Sequence, residues 1–244
     1  MPEERKETDD VAGAARAAAD PLAQSAAEAD AAGETNGQDE TEDDGEADSD
    51  PAEAEVVPAL EPAPAAVADL AAACIRYVAT RYGAELDFSP ETLSFVDQWV
   101  RDARAELARR PEVADVVQSA AGAYLGEVIR RTFGGAWILP HDPGDLAGWR
   151  LGLATVYCAF NPLGMAREAL TLSPAEGWHA HFELDPGERE EIEQRLAALP
   201  PVDDEEFFAP STRFDVVWIM VDALHAAMHA RGLGNTLFSA DDYR

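Results

Sequence analysis

The run PEVADVVQSAAGAYLGEVIRR, residues 111–131, limits how this chain can fold more than any other segment. Val113, Val117, Ala120, Tyr124 and Val128 recur at helical spacing and share a face. Leu125 and Ile129 lie about a quarter-turn or more around, beside Gly122 and Gly126. Each interior glycine costs a helix about 1 kcal/mol relative to alanine. Two of them four apart therefore call for a second backbone passing close. Glu127 and Arg131 form an i,i+4 pair worth a few tenths of a kcal/mol. Arg130 and Arg131 sit where the helix dipole favours positive charge. Gly134 and Gly135 follow the helix. A phosphate cradle needs its glycines ahead of a helix N-terminus, where free N–H groups point at the anion. These come after a C-terminus, and they read as punctuation before a strand, AWIL (136–139).

Other elements follow from periodicity and turn residues. Residues 66–83 form a helix closed by Gly83. Ser89 and Pro90 open the next one as N-cap and N1, with Leu93, Val96, Val100, Ala103 and Leu107 as its stripe, widened by Trp99. WRLGLATVYCAF (149–160) is apolar on both alternating faces and reads as one covered central strand. NPLGMAREAL reads as a short helix. WHAHFEL (178–184) alternates, so it reads as a half-buried strand with His179, His181 and Glu183 on one face. DPGEREEIEQRLAAL starts a charged surface helix, and PPVDDEEFFAPST reads as a solvated loop with a short turn. Residues 213–232 form the last helix, closed by Gly232.

Composition divides the 244-residue chain. Residues 1–64 carry 20 acidic and 3 basic side chains and no aromatic residue. Such a segment has too little to bury to offset the entropy of ordering. The expected organisation is a disordered acidic tail with a Pro-rich linker over 1–64, then a single α+β domain over 65–244. In that domain, helices pack on a small, mostly antiparallel sheet built from AWIL, the 149–160 run and WHAHFEL. The net charge of -30 disfavours nucleic acid and anionic membranes and favours basic partners. No apolar run approaches a membrane span, and the first residues lack a secretory h-region. Cys74 and Cys158 lie in apolar contexts with no metal or redox spacing, which fits two buried thiols in a reducing, cytoplasmic setting.

One constellation has the residue types for metal chemistry. His179 and His181 share a face if 178–184 is a strand. His225 and His229 share a helix face with Trp218 and Asp222. Imidazoles so spaced can bind zinc, with Asp222 as ligand or orienting partner. No glutamate adjoins His225 as the zinc-protease motif requires, and the same histidines also serve as the polar edge of amphipathic elements. His141–Asp142 reads as turn chemistry. There is no nucleophile elbow, Walker sequence or dinucleotide glycine fingerprint.

AGAYLGEVIRRTFGGAW, with LDFSPETLSFVDQWV before it and CAFNPLGMAREAL after it, resembles an uncharacterised bacterial domain family of unknown function. That family's signature is a helix reading YLGEVIRR, then GGxW, a strand and an NP-containing turn. The resemblance covers about residues 68–185. It implies a fold and carries no activity. Three functional readings stand. The first is a non-enzymatic interaction module with an unknown, possibly basic, protein partner, contacting it around Trp137, Trp149, Trp178 and Trp218. The second is a metal-dependent enzyme using His179, His181, His225, His229 and Asp222. The third is an acidic decoy or chaperone for a basic protein, acting through residues 1–64.

Overall fold

A computed structural model describes residues 61–244. The expected disordered tail lies outside the described residues up to residue 60. Glu61–Pro64 precede the first helix, α1 (Ala65–Tyr82). Gly83 ends α1 in the left-handed conformation at φ 66°, and its N–H closes on the Ala79 carbonyl. Pro90–Thr92 form one 3-10 turn, and α2 (Leu93–Glu106) follows. Ser89 gives no side-chain cap. The turn is held instead by Thr92 Oγ1, which donates to the Ser89 carbonyl. Of the expected stripe, Leu93, Val96, Val100 and Ala103 are buried together with Trp99, while Leu107, just past the helix end, is half-buried.

Helix α3 (Val113–Phe133) is the centre of the molecule. It is buried almost continuously from Val117 to Arg130, because α1, α2, the next helix and the sheet cover it from different sides. Where α3 crosses α4 (Pro162–Thr171), Gly122 lies on the α4 backbone. A Cβ at Gly122 would stand 2.5 Å from the Leu163 Cα and 2.8 Å from the Pro162 carbonyl. One turn on, a Cβ at Gly126 would overlap the Trp137 indole. The two glycines thus admit a backbone and a ring. Asn161 caps α4, its Oδ1 accepting from the Leu163 and Gly164 amides, while its Nδ2 donates to the Leu146 and Ala147 carbonyls.

The sheet is an antiparallel meander: β1 (Gly135–Ile138), β2 (Arg150–Leu153), β3 (Cys158–Phe160) and β4 (Glu183–Leu184), in that order. The architecture is α+β with helices on a small antiparallel sheet, as expected. Two details differ. The 149–160 run is not one strand. It folds back at Ala154–Tyr157, and β2 pairs with β3. Its apolar residues face both ways because both faces are covered: helices lie on one side and Tyr243 on the other. The Tyr243 ring sits where a Gly152 side chain would project. Its hydroxyl donates toward the Leu153 and Val156 carbonyls (2.6 and 3.0 Å) and accepts from the Cys158 amide (3.2 Å).

The second difference is at 178–184, where only Glu183 and Leu184 pair with β3. The preceding residues turn over the start of α4. The His179 carbonyl accepts from the Asn161 amide at 2.7 Å, and Gly164 packs against the Trp178 carbonyl. His179 takes φ 50°, so strand alternation does not reach it.

α5 (Arg189–Ala197), the single-turn α6 (Asp204–Phe207) and α7 (Pro210–Ala230) complete the fold. Phe207 and Phe208, read as part of a solvated loop, are buried. Asp203 caps α6 by accepting from the Glu206 amide. One continuous apolar cluster runs from Val67 to Met228. A small second cluster, Ile138, Ala159 and Tyr243, lies on the outer side of the sheet. Among the described residues, no helix is long and apolar enough to cross a membrane.

Candidate functional site

The expected histidine constellation is dispersed into separate contacts. His179 Nδ1 lies 3.2 Å from Glu183 Oε1. Asp222, on the exposed side of α7, pairs with Arg195 of α5 at 2.7 Å. The His229 ring packs against Gly234. His181 is half-buried within the turn before β4, and His225 is half-buried on α7. Among the described residues, no group of three or more His, Cys, Asp or Glu is arranged to hold a metal ion. The strand that was to place His179 and His181 on a common face is absent, for the reason given above. Cys74 and Cys158 are buried free thiols, both pushed well above the ordinary thiol range by burial.

The tryptophans divide sharply. Trp137 is 7 % exposed and Trp149 1 %, and their rings meet edge to face. Neither belongs to a contact surface. Trp178 is half-buried, with the Arg167 guanidinium over its ring. Trp218 stands 53 % exposed on α7. Its indole is propped by Phe133 at the end of α3 (centroids 5.5 Å apart) and by Phe214 one turn earlier (6.2 Å). Phe133 and Phe214 also touch each other. An exposed indole held upright by two other rings loses little side-chain freedom on contact. Asp215, at i−3 from Trp218, is exposed on the same side of α7. Partial desolvation raises its carboxyl above the ordinary range. Asp97 of α2 adds like charge nearby and is itself raised by burial, against the hydrogen bonds it accepts from Ser211.

The residues that dominate the sequence signature are structural. Glu127, 2 % exposed, takes Arg130 in a two-pronged pair (2.7 and 2.8 Å) and accepts from the Trp137 Nε1–H at 2.8 Å. Burial alone would raise Glu127. The Arg130 and Trp137 hydrogen bonds and the charges of Arg130 and Arg131 outweigh it, leaving the carboxyl below its ordinary value. Arg130 also donates to the Glu61 carbonyl at 2.7 Å, fastening the chain just ahead of α1. The i,i+4 partner Arg131 is the weaker contact, at 3.5 Å. The fully buried i,i+3 arginine is the main one, so a few tenths of a kcal/mol understates this site. What the helical spacing did not reveal is that Trp137, returning on β1, brings a third donor.

A second buried pair joins α4 to α7. Glu168 accepts from Arg213 at 2.5 Å and from the Ala175 amide, and Arg213 lies over the Phe207 and Phe208 rings. In both pairs a buried carboxylate meets an arginine, although Arg213 Nε, also buried, has no hydrogen-bond partner among the described residues.

Residues 41–146 match a family of unknown function (DUF6278). The DUF6278 match reaches from before α1 through β1 and the loop beyond it, and so contains Gly122, Gly126, Glu127, Arg130 and Trp137. It starts earlier and stops sooner than the resemblance read from the sequence, and α4 and α7 lie outside it. No curated protein matches the chain, and no solved structure does.

Proposed function

We propose that this protein is a non-enzymatic protein-interaction module whose contact face centres on Trp218. The observation that supports the reading is one large aromatic side chain left exposed on a helix whose other bulky residues are packed, and braced there by Phe133 and Phe214. Tryptophan is the residue type most enriched among energetically dominant interface positions. A braced indole of this kind is pre-organised for contact.

The test is affinity capture from host lysate with full-length protein and with Trp218→Ala, followed by reconstitution from purified components. A partner retained by the wild type should be lost, with its Kd raised tenfold or more, in the variant. A partner held equally by both removes Trp218 from the contact and the reading with it.

A further inference from the structure

The protein repeats one local arrangement: an arginine seated on an aromatic face while a carboxylate meets its guanidinium. Arg213 lies 4.4 Å from the Phe207 centroid and 5.1 Å from that of Phe208, and pairs with Glu168. Arg131 lies 3.6 Å from the Phe88 centroid and pairs with Glu127. In each case the ring supplies its negative face and the carboxylate supplies opposite charge, so one cation satisfies both.

Trp218 and Asp215 present the same two components on α7, one turn apart and both exposed. The third is missing. Among the described residues, Asp215 has no ion pair and no arginine lies over Trp218. The neighbouring acid on this side, Asp222, is already matched by Arg195. Arg101, whose charge acts on Asp97, is engaged by Glu205 at 2.6 Å. Residues 61–244 carry 29 acidic and 15 basic side chains, so the described surface is itself net negative.

Resting on the reading of Trp218 as the contact centre, we infer that Asp215 and Trp218 form a seat for a cationic side chain, an arginine or lysine presented by a basic segment of the partner. The seat discriminates charge and planarity, and arginine fits better than lysine because its flat guanidinium both stacks and hydrogen-bonds.

The test uses the full chain with its tryptophan indoles labelled with nitrogen-15, the Trp218 signal being assigned by Trp218→Phe. The probes are an end-blocked Gly-Arg-Gly-Arg-Gly peptide and the same peptide with citrulline for arginine, both at about 150 mM salt to screen long-range attraction. The Trp218 signal should move saturably with the arginine peptide and stay in place with the citrulline one. Asp215→Asn should weaken the arginine response about fivefold or more. Glu176→Gln, which removes one exposed charge from the loop after α4, should change it less than about twofold. A motionless Trp218 signal, an equal response to citrulline, or equal effects of Asp215→Asn and Glu176→Gln would overturn the seat. The lysate capture separates the two claims. If Trp218→Ala still loses the partner, the contact face stands without the cation seat. If it retains the partner, the contact face itself fails.

Discussion

Gly122→Ala is the sharpest test of how the helices meet. In isolation the change favours the helix by about 1 kcal/mol, because alanine is the better helix former and has less unfolded-chain entropy to lose. In this protein the added methyl would lie 2.5 Å from the Leu163 Cα and 2.8 Å from the Pro162 carbonyl. Comfortable carbon–carbon contact begins near ~3.5 Å, so α3 and α4 must part by roughly an ångström. The obstructing atoms are main chain, and the Asn161 cap with its bonds to Leu146 and Ala147 anchors them. No rotamer change relieves the overlap. Overpacking of this kind costs about 1–3 kcal/mol, and a backbone obstacle belongs at the upper end. The net expectation is a loss of about 2 kcal/mol, or roughly 4–8 °C in Tm for a domain of this size. Urea unfolding followed by tryptophan fluorescence measures it as a lower midpoint at unchanged slope. An alanine variant as stable as the wild type, or more so, would refute the close approach, because only that contact reverses the sign set by helix propensity.

Glu127→Gln should cost about 3–5 kcal/mol near neutral pH, since it leaves Arg130 buried without its counter-charge. The folded Glu127 carboxyl titrates below its ordinary value. Its stabilisation is therefore complete above the ordinary glutamate range and lost as pH falls through the depressed value, and denaturation from pH 7 to about 2 should show a shallower acid limb in the variant. Arg213→Met should destabilise by a similar amount, and adding Glu168→Leu should restore most of the loss, a non-additivity readable by a double-mutant cycle in urea. Tyr243→Phe removes the hydroxyl that serves Leu153, Val156 and Cys158 and should cost about 1–3 kcal/mol, with hydrogen exchange at the Cys158 amide rising first. Asp215→Asn should be as stable as the wild type or more so at pH 7. The folded carboxyl is raised, so the wild type gains on the variant as pH falls through that value toward the ordinary aspartate range.

Much of the helical part was legible because its determinants are local. Gly83 closes α1 by its freedom at positive φ, Asn161 and Pro162 open α4 by cap and N1 chemistry, and the Gly122–Gly126 spacing announced a close neighbour. The misreadings came from distant residues. Nothing near Ala154–Tyr157 signals a turn as plainly as glycine or proline would. The loop is held by Tyr243, about ninety residues on, which consumes its carbonyls. WHAHFEL alternates like a strand, but the Asn161 amide claims the His179 carbonyl and draws the segment over α4. The histidine pairs looked alike for the same reason: periodicity fixes which residues share a face and says nothing of what that face meets. Trp137, Trp149 and Trp218 are indistinguishable by type. Only β1, β2 and α7 in place decide that two are core and one is surface.

The same distinction governs what a family match can carry for this chain. Gly122, Gly126, Glu127, Arg130 and Trp137, which lie within the matched residues 41–146, have their polar groups turned toward one another and their small surfaces filled by neighbours. A residue whose bonding capacity is consumed inside the fold constrains architecture, and it has nothing left to offer a ligand. Trp218 and Asp215 are the reverse case: an indole face and a carboxylate left uncompensated among the described residues, on a helix beyond the matched segment. If binding resides there, chains sharing the buried lock and differing on α7 should share a fold and differ in partner. Exchanging the exposed α7 residues Asp215 and Trp218 should then move partner choice while costing no more than about 1–3 kcal/mol of stability, the worth of the ring contacts Trp218 makes with Phe133 and Phe214.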